Sequence, residues 1–134
     1  MKQITVLILG VILLVSCEKE YSSKWKNQYS GRWEYITFVG YPFNSPSLPP
    51  GNGNIIVIGQ DGSFERRNHD STIFKGQYFL EERKDCHGDE KKIFFKTTDS
   101  LFGESSSISI KGDSLFMSSS NCLQDGGSSI YRRL

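Results

Sequence analysis

Asn54-Ile55-Ile56-Val57-Ile58-Gly59-Gln60-Asp61-Gly62-Ser63-Phe64-Glu65-Arg66-Arg67 is the stretch whose reading decides the fold class. Four successive β-branched apolar residues suit a pleated surface and lose rotamer freedom in a helix. Asp61-Gly62 is a hairpin signal, because Gly supplies the positive φ that a primed turn requires. Residues 54–59 and 63–67 are therefore expected as antiparallel neighbours. Outward from this hairpin the same vocabulary recurs: short runs rich in Ile, Val, Phe, Tyr and Ser, separated by Gly, Asp and Asn, with almost no helical spacing of apolar residues after Ser30. Strands are expected at 32–39, 54–59, 63–67, 72–82, 91–97, 105–110, 114–119 and 128–133, with a second two-residue turn at Gly112-Asp113.

Short consecutive connections make a meander, and a meander of about eight strands exposes two edges unless it closes on itself. The expected fold is accordingly all-β, a small up-and-down antiparallel barrel over residues 31–134. The runs Ile55-Ile56-Val57-Ile58 and Ile93-Phe94-Phe95 break strict alternation, so some outward positions need cover, from the preceding segment or from a long loop. That loop is 40–53, which holds every proline of the chain (Pro42, Pro46, Pro49, Pro50) and the apolar side chains Tyr41, Phe43 and Leu48. A connection of this length is either a stiffened rim loop or a lid. Counting from the first strand places it at the end of the barrel opposite residue 31, so that if the end at residue 31 is closed, Tyr41, Phe43 and Leu48 are the candidate ligand contacts.

The N-terminus carries a different message. Lys2 precedes a run from Ile4 to Val15 that is apolar apart from Thr5 and Gly10. It is short of the ~20 residues of a spanning helix and suits a signal h-region. Its ending, Leu14-Val15-Ser16-Cys17, resembles the lipobox of Gram-negative lipoproteins. That resemblance implies a signal peptide over 1–16, cleavage before Cys17 and lipidation of Cys17, with attachment to the membrane by acyl chains. Residues 17–30 are polar and read as a tether; Glu18 and Glu20 loosely resemble surface-export signals, and the expected location is the outer membrane, facing the periplasm or the cell surface.

Composition narrows the partners. The chain of 134 residues has 16 Lys+Arg against 15 Asp+Glu, and loss of Lys2 with the leader would make it neutral. No basic run is long enough for a phosphate backbone, so no nucleic-acid partner is expected. With Cys17 lipidated, Cys86 and Cys122 remain. Parity in an oxidising compartment favours a disulfide between them, whereas a strict meander puts their connections at opposite ends, beyond the ~7 Å Cα separation a disulfide tolerates. Both states stay open.

Gly31-Arg32-Trp33 at the first strand and Tyr131-Arg132-Arg133 at the last resemble the lipocalin group, whose first strand carries Gly-x-Trp and whose final strand supplies an Arg. Asp61-Gly62-Ser63-Phe64, Gly76-Gln77-Tyr78, Gly112-Asp113-Ser114-Leu115 and the ending from Cys122 to Arg133 are similar to the short lipocalin-like lipoproteins of bacteria. The resemblance implies a calyx whose closed end is sealed by Arg133, or failing that Arg132, over Trp33 beside Gly31.

Catalytic signals are weak. Gly112-Asp113-Ser114-Leu115 shares its letters with a family of serine esterases, but neither His69 nor His87 follows it, and a Ser nucleophile needs a base. Asp85-Cys86-His87-Gly88-Asp89-Glu90 concentrates ligand-type residues without a second pair at zinc spacing, and reads as a charged turn. No enzyme activity, metal or cofactor is expected. The chain reads as a lipid-anchored barrel that binds a small apolar or amphipathic ligand; alternatively, it is a non-catalytic accessory, inhibitor or adhesion module with a filled lumen, acting on a protein partner.

Overall fold

The computed structural model describes residues 25–85, 89–102, 106–119 and 126–134. Eight antiparallel strands follow one another in chain order round a closed barrel: β1 (Gly31–Gly40), β2 (Asn54–Ile58), β3 (Ser63–Asn68), β4 (Ser71–Lys84), β5 (Lys91–Thr97), β6 (Ser106–Lys111), β7 (Ser114–Ser119) and β8 (Gly127–Arg133). Closure is by the ladder between the first and last strands, which runs from Trp33↔Arg133 to Gly40↔Gly127. Because that ladder removes both edges, the meander needs no covering layer along its rim.

The two signalled turns differ. Lys111 pairs with Ser114, so Gly112-Asp113 is a two-residue turn with Gly112 at φ +58°. In the other, the Gly62 N–H donates to the Gly59 carbonyl at 3.2 Å, which makes Gln60 and Asp61 the central residues and places Gly62 (φ +88°) after them. This turn is one residue longer than expected. Asp61 stabilises it by accepting the Ser63 N–H through Oδ1 at 2.9 Å, and those Ser63 hydrogen bonds hold its carboxyl below the usual carboxylate range.

Alternation puts Trp33, Ile56, Ile58, Phe64, Tyr78, Phe95 and Leu115 in the core cluster. Phe94 points the other way between Ile93 and Phe95, yet is only 3% exposed. Its cover includes the Arg83 guanidinium, 3.9 Å from the ring centroid, a same-sheet device where a loop or tether was expected.

Residues 25–29, read in sequence as part of the tether, are helical. Trp25 and Tyr29 stand one helical turn apart and so share a face. Tyr29 is buried in the core, its hydroxyl donates to the Ile108 carbonyl at 3.3 Å, and its carbonyl accepts the Trp33 indole N–H at 2.9 Å. The packed domain therefore begins before Gly31, and this helical turn plugs the closed end. At the other end a 3-10 turn, Ser100–Phe102, follows β5. Among the described residues the shortest ladder lies beside it: β5 and β6 meet there in two registered pairs, Phe94↔Ser107 and Phe95↔Ser106.

Candidate functional site

The lumen is filled in its lower half and hollow above. Below, Tyr78 stacks on Phe95 at 5.2 Å, and Phe64 meets Phe95 and Phe102 edge-on at 5.3 and 5.4 Å. Above this aromatic floor is a cavity of about 680 Å³, walled by residues of every strand except β5 and by the 3-10 turn. Such a volume lies within the range of small-molecule sites. Ile56, Phe38, Ile73, Leu101, Phe102 and Met117 form its apolar surface, while Tyr35, Asn54, Arg66, Ser129 and Tyr131 bring polar groups.

Charge reaches this wall at Arg66 and Arg67. Pairing of Ile56 with Arg66 and of Ile58 with Phe64 puts Arg66 on the same face of β3 as Phe64, so a guanidinium enters an apolar lumen. It is held by Asp99, with Nε to Oδ2 at 2.7 Å and Nη2 to Oδ1 at 3.2 Å. Asp99 is 2% exposed, and its Oδ1 also accepts the Leu101 N–H at 3.1 Å. Burial pushes the Asp99 carboxyl up, but the Arg66 and Leu101 hydrogen bonds and the guanidinium charge outweigh it, so the net displacement is downward. The same carboxylate satisfies the first turn of the 3-10 segment, which explains why that segment is ordered into a turn. Tyr131, buried and set edge-on to Tyr35 at 5.6 Å, has its phenol pushed up by burial. It stays a neutral donor beside the Arg66–Asp99 pair.

Arg67 points away from this pair and binds Glu65 through Nη2 at 2.6 Å, with Lys75 3.4 Å from the other carboxylate oxygen.

Among residues singled out in sequence, Trp33 and Arg133 meet at the closed end, with the guanidinium carbon 4.1 Å from the ring centroid. Arg132 lies elsewhere. Its Nε is 3.3 Å from Oε2 of Glu34, its neighbour across the ladder, and its Nη2 donates to the Leu48 carbonyl at 2.8 Å. Glu34, 2% exposed, also accepts the N–H groups of Gly51 and Gly53. The long loop is thereby pinned to the barrel wall, and its Ser45 and Leu48 N–H groups donate to the Phe38 and Ile36 carbonyls of β1. Tyr41 and Phe43 are 74% and 77% exposed, Leu48 is half-buried, and none of the three lines the cavity. The cavity is lined instead by residues of the strands and the 3-10 turn.

Cys17, Cys86 and Cys122 lie outside the described residues. So do 86–88 of the acidic cluster; of its flanks, Asp85 forms an ion pair with Lys92, and Asp89 with Lys84 at 3.0 Å. Sequence reasoning missed Arg66, Asp99, Tyr35 and Tyr131. Arg66 carried a readable signal, since in the run 63–67 it has the parity of Phe64; Asp99 carried none, because its partner is 33 residues away.

Comparison of the chain with family models, curated proteins and solved structures yields no match. What the site does must be argued from its geometry. The eight-stranded antiparallel barrel is compatible with a lipocalin-like fold, and its hollow upper half has room for a small ligand.

Proposed function

We propose that this protein is a lipid-anchored barrel of the bacterial cell envelope that binds a small amphipathic ligand in the upper half of its lumen, without catalysis. The observation that carries the reading is the 680 Å³ cavity, apolar over most of its wall and polar at the Arg66, Tyr35 and Tyr131 side chains. Apolar area supplies affinity, and a few placed polar groups orient the guest. The Leu14-Val15-Ser16-Cys17 ending supports the anchor, and the Gly31-Arg32-Trp33 and Arg133 pattern supports lipocalin-like ancestry.

Two measurements test this. Incorporation of labelled fatty acid into the native chain and its loss in Cys17→Ala report on the anchor. For the lumen, a neutral apolar fluorophore such as 1-aminoanthracene should bind the native protein, and Ser129→Trp, which places an indole in the cavity, should abolish uptake while the fold persists. Equal uptake by both proteins overturns the cavity reading. An accessory or adhesion role has one specific observation in its favour: Val39 at the end of β1 and Tyr41 and Phe43 at the start of the following loop put exposed apolar surface beside a segment that Glu34 and Arg132 hold to the barrel.

A further inference from the structure

The segment that follows β5 resembles a ligand of the cavity it borders. Asp99 offers a carboxylate to Arg66 in bidentate geometry, and three residues later Phe102 lays an aromatic ring against Phe64 and Phe95 inside the barrel. A headgroup and an apolar body are thus delivered to the lumen from the chain itself. Arg66 spends two of its five N–H donors on Asp99, and no other hydrogen bond engages it among the described residues. Its side chain remains one quarter exposed, in the cavity wall.

The geometry points to Asp99 as an internal occupant of an anion subsite: the cavity takes amphipathic ligands that bear a carboxylate, and the ligand carboxylate replaces Asp99 on Arg66, releasing the 3-10 turn. The inference rests on the cavity reading above and adds the ligand's charge and the route of exchange. Charge decides for replacement over addition. The Arg66–Asp99 pair is neutral, so a second carboxylate arriving while Asp99 stays would face an uncompensated negative charge in a poorly solvated wall. Once Asp99 swings out to water, the incoming carboxylate inherits the two-point fit that a guanidinium presents to a carboxylate. The segment is suited to leaving: Leu101 is 64% exposed, and the adjoining β5–β6 ladder shows two registered pairs among the described residues.

A dansyl-labelled undecanoic acid and its methyl ester, identical but for the charge, provide the test. In Asp99→Asn the competitor loses its charge, so acid affinity should rise about ten-fold or more, with ester affinity unchanged. In Arg66→Gln/Asp99→Asn, where both charges of the pair are gone, the preference for acid over ester should fall at least ten-fold below that of Asp99→Asn, any remainder coming from Arg67 in the same wall. Native protein supplies a readout that needs no variant: binding of the acid, and not of the ester, should accelerate hydrogen exchange at the Leu101 amide, which Asp99 Oδ1 now protects. Unchanged acid affinity in Asp99→Asn, an equal gain for acid and ester, or no acid-specific change at Leu101 overturns the proposal while leaving the cavity reading intact. Failure of native protein to bind either probe overturns both.

Discussion

Arg133 lies with its guanidinium carbon 4.1 Å from the centroid of the Trp33 ring, its direct partner across the ladder that closes the barrel. Its Nη1 also donates to the Ser30 carbonyl at 3.3 Å, so one side chain ties the last strand to the first and to the segment that precedes it. Gly31 makes room. At φ +140° a Cβ there would stand 3.2 Å from Arg133 Nη1.

Arg133→Ala is expected to lower unfolding free energy by about 0.5–1 kcal/mol, the low part of the cation–π range because Arg133 is exposed. Gly31→Ala should cost about 1 kcal/mol or more, since it strains the backbone as well as crowding the guanidinium. Denaturant titration measures both. Native stability in the two variants would show that the stack contributes nothing to closure.

Glu34 anchors the proline-rich loop, and its removal strands a guanidinium and two backbone N–H groups where the carboxylate was 2% exposed. Glu34→Ala should therefore lose about 3–5 kcal/mol and open the loop to limited proteolysis within 40–53. Glu34→Gln keeps an acceptor and should lose less. A protease-resistant loop in a stable Glu34→Ala protein would place the anchor elsewhere.

Acid should selectively erase the contribution of Asp99. Its carboxyl is held below the usual 3.8 in the folded protein, so the stabilisation is present above the unfolded value and is lost as pH falls through the lowered one. Native protein should exceed Asp99→Asn in stability near neutrality, and the gap should close as pH drops below 3.8. A gap independent of pH would mean that the ionised carboxylate is not what stabilises the turn.

Alkali should act through Tyr78, whose phenol is pushed up to about 12, first by burial and secondarily by the Asp61 charge. Here the sign reverses. The stabilisation is complete below the unfolded value of 10 and is lost between 10 and 12. Phenolate absorbance should reveal exposed tyrosines ionising near the ordinary value and a later group that includes Tyr78. One uniform titration near 10 in folded protein would contradict its burial.

The β5–β6 seam should open before the rest of the barrel, because among the described residues it has two registered pairs against the seven of the ladder between β1 and β8. Amides of Ser106 and Ser107 should exchange with solvent faster than those of Tyr131 and Trp33. Uniform protection around the barrel would show that the seam is held by contacts other than its ladder.

Much of the architecture was readable because its causes are local. Strand periodicity and the Gly112-Asp113 turn each concern a few neighbouring residues, and the eight strands lie close to their expected positions; the contact of Trp33 with an arginine of the last strand was expected from the resemblance to lipocalins instead. The candidate site was far less legible. Tyr41, Phe43 and Leu48 have the chemistry of ligand contacts, and nothing in 40–53 reveals that Glu34 and Arg132 would draw this loop against the wall.

From residue order alone came an all-β meander that had to close, since periodicity and turn chemistry act within a span of several residues; the sealed end at Trp33 and the lipid-anchor pattern at the N-terminus came from resemblance to known families. Tertiary structure alone decided that the helical turn 25–29 plugs the barrel, that aromatics fill only the lower lumen, and that Asp99 meets Arg66. Those outcomes depend on how far each strand is staggered against the next and on which side chains then share the same height inside the barrel, a relation between residues tens of positions apart that no local pattern encodes.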